Sequence, residues 1–295
     1  MPLLVIAKLG GSALTDKKSF ETLKVDALRR ITDQIQVVLE KGDTERYIVL
    51  VHGAGSFGHF QAREFSIRQG GRNDSWLEGF TATRLSVTRL NHHVVSSCVE
   101  SRIRAVGVSP FPHTHCSPGK SCEMEPDGVA LATAVAESLR WGLVPVIHGD
   151  AVLSMAPHRC TILSGDTLML WLARHLPAEL GVSAVRCVFL TDVEGVYSSF
   201  DPATGKGSGG VIRDISIGAD GTLNVPELTT SGRAEDNRRV DVTGGLQAKL
   251  EAAAAIALLG IPVYITQAGS HSCSQALGGE KPALGTRISL SSEEH

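Results

Sequence analysis

The chain is predicted to be an α/β protein built on a mainly parallel sheet with helices on both faces, and three observations lead there. Short apolar, β-branched runs alternate along the sequence with longer segments of helical period, as βαβ units require. Small-residue turns stand at the ends of several of those runs, at the edge where open α/β sheets bind their ligands. No composition shift marks an inter-domain linker, and no internal repeat recurs at a fixed period. With 295 residues the chain could form one large domain or two small ones. A single domain over residues 1–290 is expected, followed by a disordered acidic tail at 291–295.

Leu3-Leu4-Val5-Ile6-Ala7-Lys8-Leu9 reads as the first strand, apolar except at Lys8, and it ends in Gly10-Gly11-Ser12. A loop holding Thr15-Asp16-Lys17-Lys18 follows. Leu28, Ile31, Ile35, Val38 and Leu39 then recur at helical spacing, with Gly42 as the C-terminal stop. Arg46-Tyr47-Ile48-Val49-Leu50-Val51 reads as a buried strand and runs into His52-Gly53-Ala54-Gly55-Ser56-Phe57-Gly58-His59. Residues 75–101 are again helical, and strand or loop is expected at 106–111. Residues 110–126, rich in Pro, Ser, His and Cys, are expected to be loop. A helix over 129–141 stops at Gly142, and a strand from Val144 ends in His148-Gly149-Asp150. Ile162-Leu163-Ser164-Gly165-Asp166 leads into a helix through Arg174. The strand at 184–190 ends in Thr191-Asp192-Val193-Glu194-Gly195-Val196-Tyr197. Residues 198–240 are glycine-rich and charged without a sustained period, which suggests a long surface excursion containing a hairpin. Thr243-Gly244-Gly245 opens an alanine-rich helix over 246–259, and a strand at 261–266 precedes Gly285-Thr286-Arg287-Ile288.

Several function classes drop out. A net charge of −3 leaves no electrostatic footprint for nucleic acid. No apolar run approaches the roughly 20 residues of a membrane span, and the N-terminus lacks the basic and long apolar regions of a signal peptide. The six cysteines, Cys98, Cys116, Cys122, Cys160, Cys187 and Cys273, show no framework spacing, and Cys187 falls inside a core strand. That is reduced, cytoplasmic usage. Gly53-x-Gly55-x-x-Gly58 matches the dinucleotide fingerprint. Its acidic partner should close a second strand about 20 residues on, yet Asp74 and Glu78 fall in a polar or helical stretch. Gly119-Lys120-Ser121 supplies only the tail of a Walker A loop, because Thr114 stands where the first glycine belongs. His113, His115, Cys116 and Cys122 fit no standard zinc spacing.

What remains points to a polyanion. Gly10-Gly11-Ser12, the Gly53 to Gly58 turn, Ser164-Gly165-Asp166, the Asp192 to Gly195 turn and Gly244-Gly245 each follow a predicted strand or open a predicted helix. Glycines there let the backbone approach a ligand and aim N–H groups at an anion. Lys8, Lys17, Lys249 and His59 add positive charge. Lys8 is the most telling, since a lysine within an apolar strand is costly unless it meets a negative charge.

Lys8-Leu9-Gly10-Gly11-Ser12 with Thr15-Asp16-Lys17 resembles the amino-terminal signature of the amino acid kinase superfamily. Thr191-Asp192-Val193-Glu194-Gly195-Val196-Tyr197 and Asp241-Val242-Thr243-Gly244-Gly245-Leu246-x-x-Lys249 resemble its nucleotide-side motifs. Within the superfamily, the loop ending in His59 resembles that of the isopentenyl phosphate kinases, and fosfomycin kinases share much of the pattern. The resemblance implies the amino acid kinase fold, an open three-layer αβα sandwich with a mainly parallel sheet. It implies a phosphate-acceptor half at about 1–160 and a nucleotide half at about 161–290. The implied reaction is phosphorylation of isopentenyl phosphate by ATP with Mg²⁺, in a homodimer, with no metal held by the protein itself. Carried over by position, Lys8, Gly10, Gly11 and Ser12 would contact the ATP phosphates, and Gly55 would lie near the transferring group. Asp192, Gly245 and Lys249 would serve the nucleotide. Ala54, Gly55, His59 and Gly165 would hold the acceptor, Lys17 would stabilise the transition state, and Asp166 would orient the lysines. Phe80, Val87, Leu90 and Ile147 are candidates for the wall of an apolar slot for the hydrocarbon tail. The chain departs from the family at Ala151-Val152-Leu153-Ser154, where another acidic residue is frequent, and in the length of the 198–240 excursion.

Overall fold

The computed structural model describes residues 2–41, 45–70, 74–117, 125–155, 158–201, 206–224 and 245–291. Gly42, Gly119-Lys120-Ser121, Cys122, residues 225–244 and the last four of the tail lie outside the described residues.

The first half of the chain contains β1 (Leu3–Leu9), α1 (Gly11–Leu14), α2 (Val25–Glu40), β2 (Arg46–His52), α3 (His59–Glu64), α4 (Trp76–Glu100) and β3 (Ala105–Val108). It continues through α5 (Pro110–His113), β4 (His115–Ser117), β5 (Glu125–Asp127), α6 (Val129–Arg140), β6 (Val144–His148) and β7 (Asp150–Leu153). The second half adds β8 (Cys160–Leu163), α7 (Gly165–Leu180), β9 (Ala184–Thr191), β10 (Tyr197–Asp201), β11 (Lys206–Val211), β12 (Asp214–Ile217) and β13 (Leu223–Asn224). A helix at Gly245–Ala257, β14 (Val263–Gln267), a helix at His271–Gly278 and β15 (Thr286–Leu290) complete it.

Nine strands form one sheet in the order β13-β12-β15-β14-β9-β1-β2-β6-β3. Every neighbouring pair is parallel except β14 with β15 and β12 with β13. Register sets the functional edge: Leu9 pairs with His52, His52 with His148, and Leu9 with Leu190. The turns after β1, β2, β6 and β9 therefore leave the sheet at one level.

Alternation along β1 sorts its side chains onto two core layers. Leu4 and Ile6 enter the layer formed with α6, α7 and the Gly245–Ala257 helix, whereas Val5, Ala7 and Leu9 enter the layer with α2, α4 and the His271–Gly278 helix. Each fully buried Leu or Ile contributes roughly 1.5–3 kcal/mol, so both faces are strongly specified. Lys8 falls by the same alternation on the α7 side.

Residues 110–126 are more ordered than loop: α5 is a helical turn beginning at Pro110, and β4 pairs antiparallel with β5. The helix expected to end at Arg174 runs to Leu180 and stops at Gly181, whose φ of +66° suits the left-handed cap. The excursion does hold a hairpin, β10 with β11, and it also returns β12 and β13 to the sheet edge. The helix at His271–Gly278 was too short for periodicity to expose; Ser270 caps it by accepting from the Cys273 N–H.

Candidate active site

The expected turns converge. Gly10 donates its N–H to the Leu190 carbonyl at 2.8 Å, and Gly53 donates to Leu9 at 3.1 Å. A Cβ on Gly11 would lie 2.9 Å from Gly55 N and Cα, and one on Gly53 would lie 3.2 Å from Gly11 N. The two glycine turns are thus in backbone contact, which no side chain allows. Thr15 latches them, donating from Oγ1 to Gly11 O at 2.8 Å and accepting from Ser56 N–H at 3.0 Å. Gly55 has φ +50°, and a Cβ there would overlap the Thr15 side chain.

The third turn arrives from β8. Ser164 caps α7 by accepting from Thr167 N–H at 3.0 Å. This brings Gly165 beside β1, where an added Cβ would lie 2.9 Å from Lys8 Cε. A Cβ on Gly149 would sit 3.4 Å from Gly165 N and 3.7 Å from Ala54 N. The N–H groups of Gly11, Ala54, Gly55 and Gly165 have no acceptor among the described residues. They line one cradle of unpaired donors, the arrangement that receives anions.

Charge surrounds the cradle. Lys8 Nζ lies 2.7 Å from Asp166 Oδ1, with the two side chains 8% and 20% exposed. Ser12 Oγ lies 3.4 Å from Asp192 Oδ1. Lys249 is half-buried. Burial first, then the charges of Lys8 and Lys17, lower its pKa to about 8 against the opposing pull of Asp166 and Asp192. His59 opens α3 with its ring exposed. Partial desolvation, then the charges of Lys17 and Arg68, lower its pKa. All the expected site residues are therefore gathered at one edge of the sheet, and Gly245 begins the helix that carries Lys249. Residues 241–244 of the same motif lie outside the described residues.

Sequence reasoning missed several neighbours. Arg68 was not singled out, though it adds a cation beside His59. Arg84 Nε lies 3.2 Å from Asp150 Oδ1 and its guanidinium stacks 4.5 Å from the Phe111 ring centroid. Burial raises the Asp150 pKa to about 6, with Arg84 opposing. That pair ties α4 to β7 and α5. Asn91, a polar residue on the buried face of α4, was the available signal for a designed contact beneath the site.

Of the candidate tail-slot residues, Phe80 fits best. It clusters with Ile67, Ala151 and Cys160 and meets Phe111 edge-on at 5.4 Å. Val87 packs beneath Gly58, 3.1 Å from where its Cβ would be. Leu90 and Ile147 are core residues, in the two separate layers on opposite faces of the sheet. Alternation along β6 points Ile147 away from α4, so they do not share a wall.

The geometry agrees with comparison to known proteins. The model of the amino acid kinase family matches residues 3–267. This chain belongs to the amino acid kinase family. Among its family relatives is the isopentenyl phosphate kinase of Arabidopsis thaliana, 35% identical over 93% of this chain and 90% of that protein. The isopentenyl phosphate kinase of Methanothermobacter thermautotrophicus is 31% identical, covering 97% of this chain and 98% of the relative. A crystal structure of an isopentenyl phosphate kinase superposes with a TM-score of 0.72 at 27% identity, covering 97% of this chain and 100% of that one. Among the described residues no helix is long and apolar enough to cross a membrane.

Proposed function

We propose that this chain transfers the γ-phosphoryl group of ATP to isopentenyl phosphate, giving isopentenyl diphosphate and ADP. One observation carries the reading: the glycine turns after β1 and β2 meet backbone to backbone, with Gly165 and the Lys8–Asp166 pair beside them. In this reading an acceptor half at about 1–160 and a nucleotide half at about 161–290 face one another across the transferring group, and Lys17 stabilises it. The relatives' identity supports the same acceptor.

Phosphoryl transfer demands positioning and charge neutralisation more than covalent help. A phosphate monoester already carries about −1.5 to −2 charge near neutral pH, so its oxygen needs no general base. The barrier is repulsion. Two unit charges about 4 Å apart repel by roughly 4 kcal/mol at an effective dielectric near 20. Lys8, Lys17, Lys249 and the unpaired N–H groups answer it, held in place before the substrates arrive. Asp166 fixes Lys8; Gly10, Gly11, Ser12, Asp192 and Gly245 form the nucleotide side. Ala54, Gly55, Gly165 and His59 form the acceptor side. His59 donates to the acceptor phosphate, whose charge raises the ring's pKa from its depressed free value.

Mg²⁺ suits this site as a companion of the nucleotide. Mg²⁺ is commonly bound through substrate phosphates. When bound it neutralises charge on the β- and γ-oxygens. A homodimer and a cytoplasmic location complete the proposal; the apolar side chains of Leu77, Leu85 and Val99, exposed along α4, are consistent with a second copy.

The test is an acceptor panel. ADP release is measured with Mg·ATP and, in turn, isopentenyl phosphate, dimethylallyl phosphate, fosfomycin, acetylglutamate and UMP. Turnover is expected with isopentenyl phosphate and should vanish in His59→Ala while calorimetric ATP affinity holds. Turnover confined to acetylglutamate or UMP refutes the acceptor; ATP affinity lost in parallel refutes the division of labour.

A further inference from the structure

Two buried histidines lie beneath the phosphate-binding turns and have no part in the chemistry above. His52 closes β2 and His148 closes β6, paired in register on adjacent parallel strands. They are 0% and 1% exposed, and their rings stack with centroids 5.8 Å apart and planes 27° from parallel. Each precedes a glycine. The His52 Nδ1 lies 3.1 Å from Gly53 O, and the His148 Nδ1 lies 3.1 Å from Gly149 O.

Asn91 on α4 fixes the tautomer of His52. Its Nδ2 lies 3.2 Å from the Val146 carbonyl oxygen and 3.1 Å from His52 Nε2. A carbonyl only accepts, so the Val146 contact identifies this atom as the amide's donor end. The His52 Nε2 is then an acceptor, and the single proton of the neutral ring sits on Nδ1, facing Gly53 O. Burial, reinforced by the neighbouring imidazole, lowers the His52 pKa to about 3, and burial lowers that of His148 to about 4. Both rings are neutral in any ordinary buffer.

The consequence passes through the peptide plane. In a trans peptide the carbonyl of one residue and the N–H of the next point in opposite directions within one rigid unit. A donor that fixes Gly53 O therefore fixes the direction of the Ala54 N–H, which has no acceptor among the described residues. The matching contact at Gly149 holds the backbone whose missing Cβ leaves room beside Ala54 N and Gly165 N. A pair of leucines would fill the same volume but leave both carbonyls without these donors.

We propose that His52 and His148 are positioning residues for the acceptor phosphate, a neutral imidazole pair that sets the peptide planes of two His-Gly turns and so aims the Ala54 amide. The proposal rests on reading Ala54 as an acceptor ligand.

Two substitutions at His52 separate donor geometry from volume. Asparagine places an amide donor near the position of Nδ1, whereas glutamine places one near Nε2. With the best acceptor of the panel, His52→Gln should raise the acceptor KM at least tenfold and leave the KM for ATP within twofold. His52→Asn should recover most of the acceptor KM. Equal effects of Asn and Gln, or parallel shifts in both KM values, overturn the proposal. If His52→Gln does not fold, imidazole ¹⁵N NMR of the wild type decides. Signals of two Nδ1-protonated neutral rings down to pH 5 support the pair, and an Nε2-protonated ring or titration near pH 6.5 overturns it. Wild-type protein that turns over no acceptor refutes the kinase reading itself, a result distinct from either outcome.

Discussion

Asp166→Asn is the most direct probe of how the free site tolerates its own charge. The substitution keeps the side-chain shape and removes the carboxylate 2.7 Å from Lys8 Nζ. At an effective dielectric near 20, Coulomb attraction at that distance is about 6 kcal/mol. Desolvation of both groups offsets part of it, so the expected net loss is about 3 kcal/mol, the lower end for breaking one side of a buried pair. Lys249 adds to the effect, because Asp166 is one of the two carboxylates that favour its charged form. For a chain of this length each kcal/mol moves the melting temperature by roughly 1.6 °C, so the free variant should melt about 5 °C lower.

Nucleotide reverses the comparison. Phosphate oxygens supply the negative charge that the variant lacks, so saturating Mg·ATP should narrow the gap in melting temperature. ATP affinity should therefore rise, while kcat falls because Lys8 has lost its orienting partner. Scanning calorimetry with and without Mg·ATP, joined to titration calorimetry, reads all of this. A free variant that melts with the wild type would show that the pair contributes nothing to the apo state. A gap that widens on adding Mg·ATP would show that Asp166 acts on the nucleotide rather than on Lys8. Either result refutes the reasoning.

Further outcomes are equally specific. Lys249 has a pKa of about 8 in the free protein, and ATP phosphates favour its ammonium form. Binding at pH 8.5 should therefore take up protons, seen as a buffer-dependent heat in calorimetry and absent in Lys249→Met. Phe80→Ala opens the aromatic wall formed with Phe111 and Trp76. It should cost about 3–5 kcal/mol of stability and lower the KM for longer prenyl phosphates, and an unchanged chain-length profile counts against that wall. His52 and His148 have folded pKa values of about 3 and about 4, below the ordinary 6.5. Their stabilising contribution is complete above pH 6.5 and is lost as pH falls from there toward the folded values, where the loss levels off; at pH 5 each should have lost about 2 kcal/mol. The His52→Asn, His148→Asn double variant should flatten that acid limb in urea titrations.

Much of this site was legible because polar residues interrupt apolar patterns. Lys8 stands out in β1, and glycines crowd the ends of β1 and β2 where side chains would otherwise be expected. Contacts between elements distant in sequence were not legible in the same way. Arg84 looks like any helical arginine until α4 lies against β7 and Asp150 receives it. Leu90 and Ile147 both suit an apolar slot by composition; only the alternation of β6 and the placement of α4 assign them to different layers. The β4–β5 pairing was hidden for another reason. Its three-residue strands are held by pairing with one another rather than by any period of their own.

Strand register is what couples the core to the chemistry. Leu9, His52 and His148 lie level across three strands, so the turns that follow can meet backbone to backbone. The same alternation sends Lys8 toward Asp166 on α7 and His52 toward Asn91 on α4. A one-residue slip of β1 would exchange these faces. Lys8 would enter the apolar layer with α2 and α4, and Gly11 would no longer stand opposite Gly55. The slip would bury an unpaired ammonium and send Leu4 and Ile6 into the layer shaped for Val5, Ala7 and Leu9, so the slipped register is disfavoured by several kcal/mol. Packing and the charge of Lys8 thus favour the same register. On this view the hydrophobic pattern of β1 is itself a determinant of the site, and an Ile6→Val change, which trims the core without moving register, should leave turnover intact while lowering stability by about 1 kcal/mol.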